Sequence, residues 1–216
     1  MSINKTYEQE FYRFLECLRD AGCLEHVVVI GSWAEYLYYK SGLLQGYVPA
    51  MQTIDVDFLI SNLNRPRNKS ELVSIARERG FLYEEERSTG VSRFIGMDNF
   101  EVEFLIQQRG SGAEPLPRTK IGVNAQQLTH LSILNKNQMT VRFERMPVQV
   151  PVPEAYVLQK MIVNEQRGYK REKDIEKIRA IYPLLDTEEY RRIKNSLTKK
   201  EQKLVDTFEN EKLQIV

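Results

Sequence analysis

The spacing of apolar and polar positions divides the chain into a mixed first part and a helical last part. "TYEQEFYRFLECLRDAG" sets Phe11, Phe14, Leu15 and Leu18 on one face of a helix that Gly22 stops. The β-branched run "HVVVIGS" predicts a short strand ending in Gly31–Ser32, and "WAEYLYYKSG" predicts a helix ending at Gly42. Gly46 and Pro49 mark a loop, and "TIDVDFLI", Thr53 to Ile60, predicts another strand. "SNLNRPRN" is turn-like, and "KSELVSIARERG" predicts a helix with Leu72, Ile75 and Ala76 inward and Gly80 as its stop. "VSRFIG" and "NFEVEFLIQ" alternate with the period of strands. A Gly/Pro-rich loop covers 109–119, "KIGVNAQQLTHLSIL" predicts a strand and a short helical turn, and "MTVRFERMPVQVPVP" a hairpin or two short strands.

After Pro153 the period becomes helical throughout. "PEAYVLQKMIVNEQRG" carries an apolar side of Ala155, Leu158, Ile162 and Val163, and "YKREKDIEKIRAIYPLL" places Ile175, Ile178 and Tyr182 inward until Pro183 limits the helix. "TEEYRRIKNSL" and "KKEQKLVDTFENEKL" predict charged helices with solvated faces. The expected organisation is α+β over residues 1–150 and a helical C-terminal subdomain over 151–216.

Composition narrows the class. Of 216 residues 42% are hydrophobic, enough for a sizeable core, and the net charge of +1 implies no global affinity for polyanions. The N-terminal stretch "MSINKTYEQEFYRF" has no apolar signal core, and no apolar run approaches the roughly 20 residues of a membrane helix. The expectation is a cytoplasmic protein with no membrane partner, in which Cys17 and Cys23 are reduced. His26 and His130 are far apart in sequence and are not expected to bind metal.

The candidate chemistry lies in the strands. Asp55 and Asp57 share one face of "TIDVDFLI", about 7 Å apart, and would repel if left bare. A bound Mg²⁺ removes the conflict, because it takes carboxylate oxygens and keeps water and phosphates as further ligands. "NFEVEFLI" repeats the pattern with Glu101 and Glu103. A third carboxylate from a neighbouring strand would complete a two-metal site for phosphoryl-type transfer, and Glu103, followed by the same "FLI" as Asp57, is preferred to Glu101. Gly31–Ser32 at a strand-to-helix turn suits phosphate, since glycine permits close approach and the helix start offers free N–H groups, although an ordinary N-cap would read the same.

Gly31–Ser32, then Asp55-x-Asp57 on a strand, then an acid on a later strand resembles the nucleotidyltransferase superfamily of DNA polymerase β type. The long loop "KSGLLQGYVPAMQT" before the aspartates, Thr53, and the later "VPEAYVLQKMIVNEQRGYKREKDIEKI" resemble the abortive-infection E toxin nucleotidyltransferases, with Lys160, Arg167, Lys173 and Asp174 at the matching places. The resemblance spans about residues 25–180. It implies a mixed sheet flanked by helices, two Mg²⁺ ions held by Asp55, Asp57 and Glu103, and nucleotide contacts from Gly31, Ser32, Lys160 and Asp174. It further implies an NTP as substrate, an RNA, tRNA, protein or small-molecule hydroxyl as acceptor, and a cognate antitoxin as partner for a toxin.

Blander readings stand beside these. Asp55 and Asp57 could face solvent, Lys160 could be a solvated helix lysine, and Asp174 could pair with Arg171 or Lys177 at i−3 and i+3. Trp33 reads as core or wall, and Arg93 as a residue able to reach a phosphate. "NRPRNK" and "RGYKREK" are local basic patches too short to indicate RNA. A catalytically inactive nucleotide-binding module of the same fold is the alternative function.

Overall fold

The computed structural model describes residues 5–49, 54–108, 110 and 119–213. Helix α1 (Lys5–Asp20) opens the chain and buries Phe11, Phe14, Leu15 and Leu18. Strand β1 (Val27–Ile30), buried at every position, runs directly into α2 (Gly31–Lys40). There follow β2 (Asp55–Ile60), α3 (Leu72–Glu78), β3 (Leu82–Glu85), β4 (Ser92–Ile95), β5 (Glu101–Gln107) and β6 (Gln126–Leu128). After α4 (Ser132–Lys136) the hairpin β7 (Gln138–Phe143) and β8 (Met146–Pro151) forms, and then α5 (Pro153–Val163), α6 (Arg171–Ile181), α7 (Thr187–Ser196) and α8 (Lys199–Lys212).

The main sheet has the order β1-β2-β5-β4-β3, with β6 pairing β5 beyond the end of β4. It is mixed: β2 and β5 run parallel, while β1 on one side and β4 on the other are antiparallel to them. Alternation gives β2 and β5 one polar and one apolar face. On the apolar face Val56, Phe58, Val102 and Phe104 are fully buried, and the Phe58 and Phe104 rings stack with centroids 5.7 Å apart. Phe11 and Phe14 of α1 close this core from below, within 6.4 Å of Phe58, so α1 covers the face opposite the acids. Burying each such ring contributes about 1.5–3 kcal/mol.

Most expected elements form. β3 escapes the periodicity because only Tyr83 of its four residues is shielded, as befits a charged edge strand. α6 stops at Ile181, ahead of a 3₁₀ turn containing Pro183, and Ile181 takes the inward place expected of Tyr182, which is half-buried. Thr53 and nearly all of the Gly/Pro-rich loop at 109–119 lie outside the described residues. Helices α7 and α8 pack on α5, tied by Tyr190 donating to Glu209 at 2.7 Å, and α8 begins with a capping box between Thr198 and Glu201. No helix among the described residues is long and apolar enough to cross a membrane.

Candidate active site

Strand register assembles the site. In the antiparallel β1–β2 pair Ile30 stands beside Asp57, so the chain leaving β1 turns into α2 alongside that carboxylate. In the parallel β2–β5 pair Asp55 stands beside Glu101 and Asp57 beside Glu103. Adjacent strands lie about 4.8 Å apart, so two rows of like charge face each other across the ladder, an arrangement that destabilises a sheet unless a ligand answers it.

The turn is shaped for this neighbour. Gly31 has φ +67°, and a Cβ built there would lie 3.0 Å from Asp57 Oδ2. The N-cap position belongs to Ile30, whose side chain makes no cap bond, so Ser32 is inside the helix and its hydroxyl is not the cap. It accepts instead from Lys177 Nζ at 3.2 Å.

A single cleft is bordered by Gly31, Ser32, Asp55, Asp57 and Glu103 on the sheet side and by Lys160, Arg167, Lys170, Lys173, Asp174 and Lys177 on the helical side. Leu105, Leu128, Leu131, Leu134 and Val163 add apolar groups to its lining, and Gln126 and Gln159 neutral polar ones. Every residue singled out in the sequence as metal- or nucleotide-binding therefore borders one cleft. Glu101 does not; it lies 3.9 Å from Arg93, which stands beside Glu103 on the next strand and is turned to Glu86 and Glu101 without itself lining the cleft. Trp33 is buried against Phe11 and Phe100 as part of the core. His130 bonds Glu201, and Cys17 and Cys23 are buried free thiols. Of the two basic patches, "RGYKREK" supplies the cleft with Arg167, Tyr169, Lys170 and Lys173, whereas no residue of "NRPRNK" borders it.

Asp57 is pushed up from the ordinary carboxylate value to about 7, first by burial and then by the charges of Asp55 and Glu103, which Lys170 and Arg167 only partly offset. Glu103 is raised as well, by burial, with Arg93 opposing and Glu101 and Asp55 adding. Among the described residues no three His, Cys, Asp or Glu side chains converge as a metal cage. The donor set nevertheless suits a hard divalent cation: three carboxylates at one cleft, two of them resisting ionisation because Lys170, Arg167 and Arg93 only partly offset their burial and mutual repulsion.

The helical wall differs from the simplest expectation. Lys160 is 7% exposed, not solvated, and donates to Asp174 Oδ1 at 2.7 Å. Arg167 takes the other oxygen at 2.8 Å. Burial resists ionisation of Asp174, but Lys160 and Arg167 outweigh it and hold the carboxyl below its usual range. Asp174 thus pairs with these two, while Arg171 bonds Glu165 and Lys177 bonds Glu35. Lys177 was legible only as a possible partner of Asp174. Tyr156 and Glu35 gave no sequence signal beyond Glu35 following Ser32 by one helical turn.

The sequence matches the profile of a family described as nucleotidyltransferase over residues 9–202, and the chain belongs to that family. It is thus a nucleotidyltransferase. The match names the family and no subgroup, so the abortive-infection likeness remains a feature of the motifs. No curated protein is a significant sequence match. Among solved structures, an antigenic nucleotidyltransferase-like protein from Paracoccidioides brasiliensis is 14% identical with TM-score 0.49, covering 87% of this chain and 80% of that one. The antibiotic-resistance factor ANT(2'')-Ia is 15% identical in solution, with TM-score 0.46 over 96% of this chain and 94% of that one. Its crystal structure with adenylyl-2''-tobramycin is 14% identical, with TM-score 0.45 over 96% of this chain and 98% of that one.

Proposed function

We propose that the protein transfers a nucleoside monophosphate from an NTP to a hydroxyl acceptor in a Mg²⁺-dependent reaction that releases pyrophosphate. The observation that carries this reading is the shared cleft, with carboxylates on the sheet wall and cations on the helical wall. Asp55, Asp57 and Glu103 would hold two Mg²⁺ ions, which supply Lewis-acid charge at the transferring phosphate. Gly31 lets the backbone approach the β,γ-phosphates, and the start of α2 turns free N–H groups toward them. Ser32 adds its hydroxyl. Lys160 contributes positive charge from the opposite wall, and Asp174 holds Lys160 and Arg167 in place. Glu103 serves as third metal ligand or as the base that takes the acceptor proton.

The acceptor is an RNA such as tRNA, a protein or a small molecule. A toxin role with a cognate antitoxin follows from the motif resemblance. It predicts that induced expression arrests growth and that Asp57→Asn relieves the arrest.

The test of the reaction is label transfer from α-³²P-NTPs to cell extract fractions, with pyrophosphate release measured in parallel. Metal-dependent release that disappears in Asp57→Asn supports the reading. Mg²⁺-dependent NTP binding without release in the presence of any fraction would instead support an inactive nucleotide-binding module.

A further inference from the structure

Glu35 is a charged side chain with 0% exposure, and it does not border the cleft. Withdrawing a carboxylate from water is costly, and a well-packed apolar residue commonly serves stability as well or better. Glu35 is instead given three donors from three parts of the chain. Tyr47 donates from the loop after α2 at 2.7 Å, Tyr156 from α5, and Lys177 from α6 at 2.8 Å.

Two of these donors, Tyr156 and Lys177, border the cleft. Lys177 also reaches Ser32 Oγ at 3.2 Å. An ammonium group has donors only, so the Ser32 oxygen must accept, and its one O–H hydrogen is left to be given away. Asp174 stands one turn back on α6 with both oxygens engaged by Lys160 and Arg167, and Asp57 lies beside Gly31 at the same turn, but the carboxylate that Lys177 Nζ bonds is Glu35. By that 2.8 Å bond Glu35 keeps the Lys177 ammonium at the first turn of α2.

We infer that Glu35 is a positioning residue for the triphosphate: through Lys177 it turns the Ser32 hydroxyl into a fixed donor and holds a positive charge beside the phosphate turn. This rests on the nucleotidyltransfer reading above. The Glu35–Lys177–Ser32 chain joins α2 to α6, so the phosphate turn is preset before any ligand arrives.

The test is calorimetric binding of inorganic tripolyphosphate and of each common NTP with Mg²⁺. The proteins are wild type, E35Q, K177M, S32A, E35Q/K177M and S32A/K177M, each with its thermal midpoint measured. E35Q and K177M are each expected to weaken tripolyphosphate binding about tenfold, and the double variant no further, because the two residues act as one unit. In turnover E35Q raises KM for the NTP while kcat at saturation stays within about threefold. An E35Q protein with a wild-type thermal midpoint that binds tripolyphosphate within about twofold of wild type overturns the inference. So does a double variant whose loss is the product of the single losses. If E35Q does not fold, the Ser32 pair decides: S32A must cost much less affinity in the K177M background than in wild type, and equal costs overturn the inference. Wild type that binds none of the NTPs overturns both readings, whereas wild type that binds an NTP beside an unaffected E35Q overturns this one alone.

Discussion

Gly31, the first residue of α2, lies against Asp57 of β2 so closely that a methyl group on its Cα would fit only if the carboxylate gave way by a few tenths of an ångström. Gly31→Ala would put its Cβ 3.0 Å from Asp57 Oδ2 and would force a side chain onto φ +67°. Strain of this kind costs on the order of 1–3 kcal/mol. The expected outcome is a lowered denaturant midpoint together with a loss of NTP turnover of at least ~100-fold, since displacement of reacting groups by an ångström has that effect. A variant with wild-type turnover would show that the turn does not face the substrate.

Asp57→Asn separates function from stability. The half-buried carboxylate faces the like charges of Asp55 and Glu103, so its amide removes a repulsion while keeping the shape. Measured without metal at pH 8, thermal unfolding of Asp57→Asn should occur at a higher temperature than that of wild type, by roughly 2–4 °C per kcal/mol gained. Label transfer should disappear in the same protein.

The paired glutamates should behave unequally. Glu103→Gln removes a carboxylate from the cleft and should reduce turnover by at least ~100-fold, the range seen when one group acting at a transition state is lost. Glu101→Gln, outside the cleft beside Arg93, should leave turnover within about threefold of wild type. Steady-state pyrophosphate release on both variants decides this, and equal losses would remove the distinction between the two positions.

The pH dependence follows from Asp57. Its folded-state value of about 7 lies above that of an unfolded aspartate, so between roughly pH 4 and 7 the folded protein keeps a proton that the unfolded chain has released. Metal-free stability should therefore fall as pH rises through that window and level off above it. A cation bound by the ionised group reverses the trend. The rise in thermal midpoint on adding Mg²⁺ should be larger at pH 8 than at pH 5.5, and equal rises at both would exclude Asp57 as a ligand.

Asp174 makes the opposite kind of demand. Its carboxylate is buried between Lys160 and Arg167, and Asp174→Asn leaves the Lys160 ammonium without its counter-charge. Breaking a buried pair in this way costs about 3–5 kcal/mol. Urea unfolding should show that loss even without nucleotide. Because the folded-state value of Asp174 is lowered, its contribution in wild type is present above the unfolded aspartate value and is lost as pH falls through the folded one.

Much of the sheet side of the cleft was readable from the sequence, because strand periodicity states which residues share a face. It put Asp55 with Asp57 and Glu101 with Glu103 without saying which strands adjoin or in what register; the parallel β2–β5 ladder supplies both. The helical wall was less legible. Lysines on a helix look alike whether solvated or buried, and Lys160 and Lys177 are 7% and 9% exposed in a fold where α5 and α6 pack against each other and bond Glu35 of α2 through Tyr156 and Lys177. Glu35 was invisible for the same reason: its partners are 12, 121 and 142 residues away. β3 was missed because an edge strand with exposed charged residues has no apolar alternation to detect.

The stacked Phe58 and Phe104 rings lie on the reverse of the strands that carry Asp57 and Glu103. A slip of either strand by one residue would lift an aromatic ring into water and drive a carboxylate into the core. The spacing of the acids is thus copied from the packing beneath them, and the same hydrophobic interlock that selects the native register proofreads the site. A chain that reaches this packing has its acids aligned by the same contacts.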